Sequence, residues 1–123
     1  MLSITTVLAI ASAVALVGLS FSVSLARIKA GVEVGTSDDV RLLRRIRAQG
    51  NFIEYVPMAL LLCGLAEYRG AANIWLWLLG ALLVLGRVCH AVGMLVGSTP
   101  MRAVGMLATY GSLLMGAAAL AFA

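Results

Sequence analysis

The chain has 123 residues, 63% of them hydrophobic and only 11% charged, with a mean hydropathy of +1.06. Soluble domains carry about 25% charged residues, so this composition excludes a water-soluble globular protein and leaves a single integral membrane domain. The net charge of +4 does not indicate nucleic acid, because most basic residues flank apolar segments and form no solvated patch with interleaved aromatics.

Taken in chain order, the first apolar segment covers about residues 2–26 and holds no charged side chain. No Lys or Arg precedes it and its apolar run is too long for a signal peptide. A hydrophilic loop over 27–45 follows, with Gly31, Gly35 and Ser37-Asp38-Asp39 as turn and helix-cap signals. The second segment spans about 48–66 and contains Pro57, and Glu67-Tyr68-Arg69-Gly70 makes a short turn after it. The third covers about 72–95, with Trp75 and Trp77 suited to anchor it at a membrane interface. Gly97-Ser98-Thr99-Pro100 closes it, and the fourth runs over about 101–123. The pattern predicts an all-α bundle of four transmembrane helices in one domain, 1–123. Cys63 and Cys89 both lie inside apolar segments, and with His90 the only histidine there is no set of ligands for a metal.

The basic residues set an expected orientation. Arg27, Lys29, Arg41, Arg44, Arg45 and Arg47 cluster around the first loop, and Arg102 follows the third segment, whereas the second loop holds only Arg69. The positive-inside rule places loops one and three in the cytoplasm and both termini outside it. Arg27, Glu54, Arg87, His90 and Arg102 then fall in one leaflet, at 1.5 Å of rise per residue.

The richest stretch runs from Arg44 to Pro57. On a helix turning 100° per residue, Arg44, Arg47, Asn51, Glu54 and Tyr55 share a face roughly 100° wide. Ionisable groups at membrane depth cost about 2.5–3.5 kcal/mol each on insertion scales and need a partner or a task. Arg87 and His90, three residues apart, share a second polar face. The plain structural expectation is a buried Glu54–Arg87 pair, a hydrogen-bonded core His90, and Arg41, Arg44 and Arg45 as membrane-flanking charges that touch lipid headgroups. One carboxylate cannot balance Arg44, Arg47, Arg87 and Arg102 together, and the excess suggests an anionic guest.

The motif Arg44-x-x-Arg47-Ala48-Gln49-x-Asn51-x-x-Glu54-Tyr55-x-Pro57 resembles the signature of the MAPEG proteins, the membrane-associated proteins in eicosanoid and glutathione metabolism. Gly86-Arg87-Val88-Cys89-His90 and Pro100-Met101-Arg102 resemble the same family in order and spacing. The resemblance implies a homotrimer with glutathione held between neighbouring subunits toward the cytoplasmic side. By position, Arg47, Asn51, Glu54 and Tyr55 are expected to bind glutathione, with His90 and Arg27 as further contacts and Arg87 and Arg44 as structural charge partners. Arg102 takes the catalytic place, stabilising the thiolate that attacks a hydrophobic electrophile from the bilayer or reduces a lipid hydroperoxide. The expected partners are thus the bilayer, glutathione as co-substrate, the electrophile and further copies of the chain, with no metal and no nucleic acid.

Two positions depart from the family pattern. Met94 stands one turn after His90, where well-studied eukaryotic members carry a tyrosine, and Ala103 replaces a serine of the prostaglandin-forming branch. The compact loops and short termini resemble bacterial members, which implies a bacterial inner membrane. Two other readings compete: the family fold without transferase activity, and a small multidrug exporter. Such exporters place their essential carboxylate in helix one, which here is charge-free.

Overall fold

The computed structural model describes residues 1–123 and consists of four α-helices in chain order: α1 (Ser3–Ala30), α2 (Val40–Tyr68), α3 (Asn73–Val96) and α4 (Thr99–Ala121). The last two fall within two residues of the expected limits. The first two run further, and the loop expected over 27–45 shrinks to a connection between Ala30 and Val40. The cause is local. The Asp39 side chain accepts a hydrogen bond from the Leu42 amide at 3.1 Å and caps α2 early. Leu42 is then fully buried in a cluster with Val23 and Ala26 of α1, and Ala30 and Ile46 pack on it. Gly31, with a left-handed φ of 68°, ends α1.

α1, α3 and α4 are each long and apolar enough to cross a membrane. α2 falls short of that composition because Arg41, Arg44, Arg45, Arg47, Asn51 and Glu54 occupy its first half. The most extensive contact is between α3 and α4, and α1 packs chiefly on α2. Glycines bring α3 and α4 together: a Cβ on Gly86 would lie 2.8 Å from Thr109 Oγ1, and one on Gly105 would meet the His90 backbone and, at 2.7 Å, the Gly86 carbonyl. The apolar core falls into layers. Ile4, Leu8, Cys63, Ala66, Leu76 and Leu79 fill the end that bears the termini. Phe52, Val56, Ala59 and Leu83 form the next layer.

The end bearing the termini is closed by Glu67, which the sequence places in a turn. Its carboxylate accepts from the Ile4 amide at 2.9 Å, and from the Thr5 amide and hydroxyl at 2.8 and 2.7 Å. A residue at the end of α2 thus caps the N-terminus of α1, whose own preceding residue, Leu2, offers no side-chain cap. Partial burial opposes ionisation of Glu67, but the bonds from Thr5, Ile4 and Ser3 outweigh it and hold the carboxyl below its ordinary range. A depressed carboxylate pKa contributes stability above the unfolded-state value, and that stability is lost as pH falls through the folded value. The thermal unfolding midpoint in detergent should therefore fall from about pH 5 downward. Glu67→Gln should lower stability at neutral pH by about 1 kcal/mol, the usual worth of a helix N-cap, and flatten the acid limb of the profile.

Candidate functional site

A polar layer replaces the apolar core between α2, α3 and α4, and Arg87 is its centre. The guanidinium is buried, with 8% of the residue exposed, and no carboxylate pairs with it. Its Nη1 donates to Asn51 Oδ1 on α2, and its Nε and Nη2 donate to Thr109 Oγ1 on α4 at 3.1 and 2.6 Å. Nη2 also contacts the Met106 sulfur at 3.6 Å. Its Cζ lies 5.9 Å from the centre of the Tyr55 ring, within cation–π range. Tyr55 in turn meets Tyr110 edge-on, with ring centres 5.7 Å apart.

Within this layer, sequence reasoning missed Thr109. Its hydroxyl donates to the Gly105 carbonyl at 2.8 Å, which leaves two lone pairs, and both accept from Arg87. The available signal was a polar side chain four residues beyond a glycine, in a helix whose one charged residue is Arg102. Its partner, 22 residues away, could not be read locally.

The expected Glu54–Arg87 pair does not form. Glu54 instead pairs with Arg47, Oε1 to Nη1 at 3.5 Å, and the two side chains are 49% and 53% exposed. The reason is rotational position on α2. Asn51 points inward and is 7% exposed, so it reaches Arg87 first, while Glu54 lies on the outer face with Arg47 seven residues before it. This is the one ion pair of the chain.

The remaining polar residues fall around this layer. His90 is buried on α3. With Met94, Thr99, Arg102, Ala103 and Met106 it lines an open cleft of about 270 Å³ between α3 and α4. Ser98 caps α4, accepting from the Met101 amide at 3.4 Å, and so places Arg102 in the first turn. The Arg102 stem lies against Gly93 and its Nη1 reaches the Met94 sulfur at 3.5 Å. A cation in the first turn opposes the helix dipole, and Arg102 has no carboxylate to offset it. Arg44 sits over Gly97, its Nη2 2.7 Å from where a Cβ would stand, with the favourable sign for the C-terminus of α3. Arg27 stands apart and donates from Nη1 to the Gly35 carbonyl at 2.7 Å, which fastens the first connection.

A family model, that of the MAPEG family, matches nearly the whole chain, residues 5–122. The chain belongs to the MAPEG family. This MAPEG protein is also similar to the inner membrane protein YecN of Escherichia coli K12, at 34% identity over 107 residues that cover 87% of the chain and 82% of the relative. The protein of the same name from Escherichia coli O6:H1 matches to the same extent. Both relatives are bacterial inner membrane proteins by name, and the MAPEG chain described here is an integral membrane protein.

The geometry predicts what holds the polar layer together. Thr109→Val keeps the shape of the side chain but removes the one oxygen that accepts from Nε and Nη2 of Arg87, so two buried guanidinium donors lose their partner at a cost of about 1–3 kcal/mol. Thr109→Ser should retain most of the stability, and thermal unfolding of the two variants side by side checks the difference.

Proposed function

We propose that this protein is a membrane-bound glutathione-dependent transferase that works as a homotrimer, with glutathione bound between subunits. The observation that carries this reading is the half-exposed Arg47–Glu54 pair on the outer face of α2. An ion pair facing hydrocarbon is costly, so this face calls for cover by a neighbouring subunit and by a guest that matches both charges. Glutathione has two carboxylates for arginines and an ammonium for Glu54. The excess of cations points the same way: of Arg44, Arg47, Arg87 and Arg102 only Arg47 is paired with a carboxylate, and Arg87 has only neutral partners.

In this reading Arg47 and Glu54 hold the charged ends of the tripeptide. Asn51 has its amide nitrogen to offer, because its oxygen is committed to Arg87. Tyr55 supplies a hydroxyl, His90 a ring nitrogen, and Arg27 of the last turn of α1 is the remaining candidate contact. Arg102, in the first turn of α4, places positive charge where a thiol would stand and favours its thiolate. The thiol proton leaves to water, the sulfur forms a bond to an electrophilic carbon arriving from the bilayer, and the leaving group departs with its electron pair. Attack of the same thiolate on the terminal oxygen of a lipid hydroperoxide gives an alcohol and a sulfenic acid, which a second glutathione converts to disulfide and water. The density of arginines around the first connection and Arg102 sets both termini outside the cytoplasm.

One contact favours a second reading, a MAPEG protein that binds glutathione without conjugating it. The Met94 sulfur already lies against Arg102, and the thiolate has to displace it to gain the full charge of the guanidinium.

Calorimetry on the purified protein separates these readings. Wild type should bind glutathione, Arg47→Ala or Glu54→Ala should abolish binding, and Arg102→Ala should spare it. Arg102→Ala should instead lose the ultraviolet absorbance of bound thiolate and the conjugation of chlorodinitrobenzene. Absence of wild-type binding at millimolar glutathione would sink the proposal, and binding without thiolate absorbance would select the second reading.

A further inference from the structure

A second group of cations lies outside this site. A cleft of about 680 Å³ opens between the last turns of α1 and the first turns of α2. Lys29, Arg41 and Arg45 contribute three positive charges to it, and Asp39 one negative charge already committed to capping α2. None of the three cations has a carboxylate within ion-pairing distance, since the chain's one ion pair is Arg47–Glu54. The cleft also has an apolar wall, with Leu25 and Ile28 of α1 among its lining residues.

That wall continues. Val17, Phe21, Leu25 and Ile28 recur at helical spacing, and each is exposed on the outside of α1. They form an apolar stripe of about 16 Å that leads away from the cations along a membrane-spanning helix. The cations therefore stand where that helix leaves its apolar stretch, at the depth of lipid headgroups. A free phosphate would use the charges but neither the volume nor the stripe, whereas a phospholipid uses all three.

We propose that this cleft binds an anionic glycerophospholipid, its phosphate among Lys29, Arg41 and Arg45 and an acyl chain along Leu25, Phe21 and Val17. The site shares no residue with the His90–Arg102 cleft. Occupation of it would clamp α1 to α2 at the end where the short first connection joins them.

Native mass spectrometry of the full chain, released from detergent after equilibration with equal amounts of phosphatidylglycerol and phosphatidylcholine, tests the assignment. Each cation near an anionic headgroup contributes roughly fivefold, so wild type should retain phosphatidylglycerol with a preference of about tenfold or more. Lys29→Gln, Arg41→Gln and Arg45→Gln should each cut that preference severalfold, and the triple variant should abolish it. The charge-keeping set Lys29→Arg, Arg41→Lys, Arg45→Lys should preserve it, so the assignment stays testable even where the neutral triple variant fails to fold. Arg69→Glu, which removes positive charge at the opposite end, should leave the preference intact. A wild type without preference, neutral variants that keep it, or an equal loss in Arg69→Glu would each overturn the proposal. Displacement of the lipid by millimolar inorganic phosphate would also overturn it, since the site would then be one for a soluble anion.

Discussion

The buried guanidinium of Arg87 is the constraint around which this bundle is arranged. A charge taken out of water costs several kcal/mol unless its donors are satisfied, and here no carboxylate shares the burden. Neutral oxygens do so instead: Asn51 from α2 and Thr109 from α4 accept from the same side chain of α3. That requirement explains Gly86 and Gly105, since any larger residue at either would hold α3 and α4 too far apart for Thr109 to reach. It also explains why the Thr109 hydroxyl spends its one proton on the Gly105 carbonyl. Both of its lone pairs must face the guanidinium.

The division of roles follows from the same bond. With Asn51 committed inward, Glu54 is left outside and takes Arg47, seven residues earlier on the outer face of α2. The polar face of α2 thus splits into an internal half that ties three helices together and an external half with no counterpart in the single chain. The internal half is structural, and the external half is the one that the proposed function uses for recognition. Arg102 belongs with the second, since its charge opposes the dipole of its own helix and nothing in the chain neutralises it.

Much of this was legible in the residues. The ends of α3 and α4 carry strong local signals, Gly97 in the left-handed conformation and the Ser98-Thr99-Pro100 start, and both helices fall close to their expected limits. α1 and α2 overran theirs because the charged stretch after Asp39 reads as a loop by polarity, although Leu42 and Ile46 were available to bury one of its faces. The gathering of Arg87, His90 and Arg102 was foreseeable from helix order and rise alone. The pairing within that cluster was not. Opposite charge suggested Glu54 for Arg87, but rotation about α2 decided for Asn51. Thr109 and Glu67 were hidden for another reason: each acts through a partner distant in sequence, 22 and about 60 residues away.

Arg87, on α3, is bound within the bundle as a structural cation, whereas Arg47, on the outer face of α2, is the recognition cation in the proposed function. Nitrogen-15 labelling of arginine in the protein held in lipid nanodiscs, followed by a glutathione titration, reads the two guanidinium groups separately. The Arg47 Nε–H resonance should move saturably with added glutathione, while that of Arg87, locked between Asn51 and Thr109, stays in place. A shift of Arg87 with Arg47 unmoved, or no shift of either at millimolar glutathione, would contradict this assignment of the two arginines.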